Sequence, residues 1–247
     1  MIWTISKFQF RFPPKVLFVS MLVSWSVLRG TVEEMHSRLQ FSLNESVASD
    51  ALKVGLPSIA IPLYKDALED TAKSQVPQSE VRKLRLGLTS AFLAIGEIEL
   101  AKEELKILEH PGEQSGEVLL QLALIAFLER DVESFKELMS ELKPEVVSLE
   151  NRSWVVFLQG MVAPSAAASE ALHSQALKMA MTLERQADFR LLRYRNEILE
   201  TGGSEVLAAN LKRQMEEFRG RLAGQEFAVQ YVMVLNSLGK KSGALEE

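Results

Sequence analysis

The stretch Leu88–Leu108, LTSAFLAIGEIELAKEELKIL, decides the fold. Leu88 and Phe92 lie one helical turn apart. Gly96 interrupts the pattern, and Ala101, Leu105 and Leu108 resume it at spacings of four and three. Apolar residues at these intervals share one face of a helix, and a glycine between two such runs marks the turn where the chain reverses. The stretch therefore reads as a helical hairpin, with the small Ala101 near the point where its two helices cross.

The same spacing occurs elsewhere. Ala60, Tyr64 and Ala67 form one copy, and Phe135, Met139 and Leu142 form another in which a bulky ring takes the small position. Phe135 follows Ala101 by 34 residues and Ala101 follows Ala60 by 41, the longer interval holding a loop of seven extra residues. Gly55 with Pro57, Pro77, Pro111 with Gly112, Pro144, Pro164 and Gly202-Gly203 fall between periodic segments, where helices stop. No sustained alternation of β-branched residues appears, so strands are not expected. Helices are predicted at about 33–54, 57–74, 79–95, 97–109, 116–129, 131–143, 150–162, 167–184, 186–200, 204–222 and 225–238.

A small residue, a large apolar one four later and a small or apolar one three after that, repeated at 34 residues, resembles the tetratricopeptide repeat. The match is best over 42–145 and weaker after 151, where Trp154, Phe157 and Leu158 suit a first helix and Ala176, Leu177 and Ala180 a second. The resemblance implies an all-α fold, a superhelical stack of antiparallel helical hairpins that presents a protein-binding surface. It divides the chain into an N-terminal segment 1–30, repeats over 31–145 and degenerate helical repeats over 146–247. The last of these stops inside an incomplete copy begun by Tyr231, Leu235 and Gly239.

Carried over from the family, the inner-face positions are Lys83, Leu86, Ser90, Leu93 and Ala94 in the second copy and Glu117, Leu120, Leu124, Phe127 and Leu128 in the third. Repeats that clamp a partner's C-terminal carboxylate use Lys, Arg and Asn at these positions, and only Lys83 qualifies here. The expected partner is an amphipathic helix or extended apolar segment of another protein. The other reading makes Leu120, Leu124, Phe127 and Leu128 core residues beneath a further helix. A second candidate surface is Arg190, Arg193 and Arg195 with Tyr194, suited to an acidic partner or anionic lipid, with Glu197 and Glu200 offsetting part of its charge.

Composition narrows the chemistry. Net charge is −5 with both signs interspersed, so there is no basic stripe and no nucleic-acid partner is expected. The chain has no cysteine and its three histidines, His36, His110 and His173, are isolated, so neither a metal nor a cofactor is expected. No glycine-rich phosphate loop occurs. Ser140 and Lys143 match the Ser-x-x-Lys spacing of penicillin-binding enzymes, but the flanking sequence is helical and the intermediate motif is missing, which makes coincidence the reading. No catalysis and no small-molecule substrate are expected. A helical docking region of a larger envelope enzyme is the alternative to a free-standing scaffold.

At the N-terminus, Lys7, Arg11 and Lys15 precede an apolar run over 16–28, the pattern of an export signal. The run is shorter than the roughly 20 apolar residues of a membrane span, so cleavage is favoured over a tether, and a periplasmic or envelope location over a cytoplasmic adaptor. N-terminal sequencing of the protein from its native host is expected to start near Thr31. Recovery of residues 1–30 on the soluble protein would defeat the export reading.

Overall fold

The structure, a computed structural model, describes residues 42–73, 76–108 and 115–240. The readings that concern residues 1–30, the tether over 16–28, His36, His110 and the tail beyond Lys240 lie outside the described residues. Within them the chain is helical without a strand. The elements are α1 (42–53), α2 (Pro57–Lys73), α3 (Gln78–Ala94), α4 (Ile98–Leu108), α5 (Gly116–Glu129), α6 (Val132–Glu141), a single 3-10 turn at Pro144–Val146, α7 (Arg152–Met161), α8 (Ala166–Met179), α9 (Leu183–Thr201), α10 (Glu205–Glu217) and α11 (Leu222–Ser237). No described helix is long and apolar enough to cross a membrane.

Local chemistry sets the helix ends. Ser115, Asp131, Ser165, Thr182 and Ser204 each accept a hydrogen bond from a backbone N–H three residues on, which occupies a donor the first turn leaves unpaired. Such a cap contributes about 1 kcal/mol. The Thr182 cap also corrects a predicted boundary: α8 ends at Met179 and α9 begins at Leu183, so the break falls before the expected 184. Similarly, α6 ends at Glu141, because Pro144 forces Lys143 into an extended conformation and a 3-10 turn follows. Gly220, with φ of +81°, ends the α10 region early, so that α11 starts at Leu222.

Most consecutive helices pack against each other, most closely α2 on α3, α3 on α4, α5 on α6, α7 on α8 and α10 on α11, and the core runs as three clusters in chain order, within 48–125, 119–189 and 187–235. The nine residues of the repeated pattern, from Ala60 to Leu142, are all buried, none more than 7% exposed. The preceding helices hold a matching set that the sequence reading missed. Ala48, Thr89 and Ala123 are each fully buried and recur at the same intervals of 41 and 34 residues. Small residues on both partners let helix axes approach closely.

The fourth hairpin, α7 with α8, corrects the predicted register. The buried residues of α8 are His173 and Ala176, which follow Met139 and Leu142 by 34 residues, whereas Leu177 and Ala180 are only partly buried. His173 thus takes the large position, and its ring lies where a Cβ on Gly160 of α7 would come within 2.8 Å.

One backbone contact is tighter still. The start of α5 rests on the 3-10 turn, so that a Cβ at Gly116 would sit 2.1 Å from the Val146 carbonyl oxygen. Gly116→Ala is therefore expected to cost about 1–3 kcal/mol in urea denaturation, the range for forced overpacking. Ser140→Ala, at an exposed site, should stay within about 0.5 kcal/mol of the parent. Equal stability of the two variants would refute the close approach.

Candidate functional site

The first helices of successive hairpins are pinned side by side by polar side chains. Lys83 of α3 pairs with Glu45 of α1. The Gln121 side-chain amide of α5 donates to the Leu86 carbonyl and the Ser90 hydroxyl of α3, each at 2.9 Å. Glu117 of α5 accepts from Ser148 N at 2.6 Å and Asn151 Nδ2 at 2.7 Å, just before α7. In the last pair, Gln230 of α11 donates to the Leu191 carbonyl of α9 at 3.2 Å, and Arg221 pairs with Glu184.

This geometry distributes the predicted inner-face residues unevenly. Lys83 and Ala94 are exposed, while Leu86 and Leu93 are partly buried against the first core cluster. Ser90 and Glu117 spend their polar atoms on the links just described. Leu120 is 2% exposed in the second cluster and supplies no groove surface: α5 turns it inward. Leu124 and Phe127 are partly buried against that cluster, with the Phe127 ring 5.5 Å from Phe135. The α3 and α5 sets do come together, meeting at Ser90 and Gln121. Gln121 was invisible as a functional signal, being one polar residue in the apolar run of α5.

The chain also curls back. Lys53, at the end of α1, pairs with Glu150 before α7 at 3.5 Å, and a Cβ on the neighbouring Gly55 would lie 3.7 Å from Glu184 Cγ at the start of α9. Contacts are thus not confined to sequence neighbours. Arg185 of α9 stacks over the Trp154 ring of α7 with its guanidinium carbon 5.1 Å away.

Comparison with protein-family models, curated proteins and solved structures finds no significant match. The functional reading rests on this chain alone.

The basic cluster is matched by acids other than the predicted ones. Arg190 donates to Gln214 at 2.6 Å and Glu217 at 3.1 Å on α10, and Arg193 donates to Glu170 on α8 at 2.5 Å. Glu200 instead accepts from Asn196. The pairing with Arg193 holds the Glu170 carboxyl below its ordinary value. Arg195 is exposed. No group of acidic, His or Cys side chains among the described residues has the arrangement of a metal site.

Asp188, one turn after Arg185, carries the largest carboxyl perturbation among the described residues. Surrounding protein pushes it up to about 6, Arg185 pulls it back, and Glu226 and Glu184 add to the rise. Its side chain keeps solvent contact, so screening tempers the effect. Because the folded-state value is raised, the folded chain holds a proton that the unfolded chain has lost between about pH 4 and 6. This contribution to stability is full at low pH and disappears as pH rises through 6. Asp188→Asn removes the charge. Its Tm relative to the parent is expected to rise by about 2 °C between pH 4.5 and pH 7.5, the shift of roughly 1 kcal/mol at most in a chain of this size. A difference that stays flat or narrows with pH would show Asp188 to be unperturbed.

Proposed function

We propose that this chain is a non-catalytic protein-interaction scaffold, a tetratricopeptide-like superhelical stack of helical hairpins that works in the bacterial cell envelope. The observation that carries the reading is the recurrence of one packing unit. Buried sets at 60/64/67, 101/105/108 and 135/139/142 continue at 173/176, and links between first helices join Glu45 to Lys83, Leu86 to Gln121 and Leu191 to Gln230. A stack of this kind offers an extended face without a catalytic centre. Surface on the α3 side of that face comes from Lys83 and Ala94, with Leu86 and Leu93 part-exposed beside them. The export reading of residues 1–30 supplies the location.

A photo-crosslinking side chain placed at Lys83 or Ala94, with Lys136 on α6 as an exposed control, tests this in native envelope fractions. The expected result is one defined protein adduct from positions 83 and 94 and none from 136. Adducts of the same pattern from all three positions, or from none, would remove the inner face as the docking surface.

A further inference from the structure

A cavity of about 90 Å³ opens between α7, α8 and α9, lined by Phe157, His173, Leu177, Phe189, Arg190, Arg193 and Tyr194. We propose that it binds a carboxylate carried on a short apolar stem. This does not rest on the scaffold reading. The apolar floor is rigid: Phe157 and Phe189 stack with ring centroids 4.7 Å apart, and Trp154 meets the edge of Phe189 at 4.8 Å. At about 30 Å³ per water, the space holds about three waters or an acid of about four carbons.

The polar side of the cavity has donors to spare. Arg190 uses one terminal nitrogen for both Gln214 and Glu217, and Arg193 uses one for Glu170, which leaves each guanidinium with further N–H groups. Burial raises the Tyr194 phenol above its ordinary value, against the pull of Arg190, Arg213 and Arg193 and with a small push from Glu197, and like any tyrosine near neutral pH it is an O–H donor. Arg213 itself donates to Asn210.

His173, 4% exposed, leaves Nε2 without a partner, and its Nδ1 lies 3.4 Å from the Ser169 hydroxyl. Burial lowers it, so the ring is neutral at pH 7 and adds no competing charge. Glu217 and Glu170 offset part of the guanidinium charge, so the preference for an anion over a cation rests on the N–H groups those pairs leave over and on a lining that itself holds no carboxylate. The arrangement favours an organic acid over an inorganic anion because three apolar side chains form the floor.

The test is a titration of the full chain with sodium butyrate at constant ionic strength, followed by the NMR signals of the His173 and Tyr194 rings. Saturable shifts with a dissociation constant of about 1 mM are expected, the affinity available to so few atoms. Acetate, two methylenes shorter, should bind about tenfold more weakly. Arg193→Gln should weaken butyrate about tenfold, and Tyr194→Phe should weaken it while leaving the fold untouched. Butyramide should shift neither ring. A capped glutamate carries the same chemistry on a protein side chain, and whichever of it and butyrate binds tighter names the source. Shifts that never saturate, that butyramide reproduces, or that persist undiminished in a folded Arg193→Gln variant would overturn the proposal.

Discussion

Close approach of helix backbones is the constraint on which this structure depends. Ala48 and Ala60 in the first hairpin, Thr89 and Ala101 in the second and Ala123 in the third are fully buried, and side chains of this size permit a short interaxial distance. The larger residues one turn on then fill the space opening beyond the crossing. Tyr64 does so by laying its ring where a Cβ on Gly87 would come within 2.5 Å. Phe135 departs from the small-residue rule, and the core cluster that receives it compensates with Ala123 and Ala126. The volume is redistributed between partners and the spacing is kept.

Polar links add register to this apolar packing. Apolar contacts tolerate a helix sliding by one turn, because the pattern of four and three nearly superposes on itself. Hydrogen bonds from Gln121 to the Leu86 carbonyl and the Ser90 hydroxyl do not tolerate it. A one-turn slide would leave a buried amide unpaired at a cost of about 1–3 kcal/mol. Gln121 Oε1 already lacks a partner, so some of that cost is present in the folded state.

Much of the fold was legible in the sequence because punctuation and period agree. Gly96, Pro144 and Gly202 fall where helices stop, and the four-and-three spacing, recurring at intervals of 41 and 34 residues, located buried residues in three hairpins. The candidate surface was less legible for a physical reason. A helix in the middle of an array is apolar on more than one side, and the 3.6-residue period does not say which side meets solvent. Leu120 and Leu93 look alike in sequence, yet one is sealed and the other partly open. The fourth hairpin was misread because a histidine stands where a large apolar residue was sought. The contact between Lys53 and Glu150 joins residues 97 positions apart, which no local pattern announces.

That contact gives the molecule a mechanical character. Neighbouring helices here are held together by buried surface, whereas the tie between the first hairpin and the fourth is an exposed ion pair, Lys53 at 43% and Glu150 at 54%, beside a glycine. Ionic strength weakens exposed pairs over a Debye length of about 8 Å under physiological conditions, and it leaves apolar burial intact. The contact of α1 with the approach to α7 is therefore softer than the helices it joins: salt loosens that pair while the buried faces on either side keep their packing.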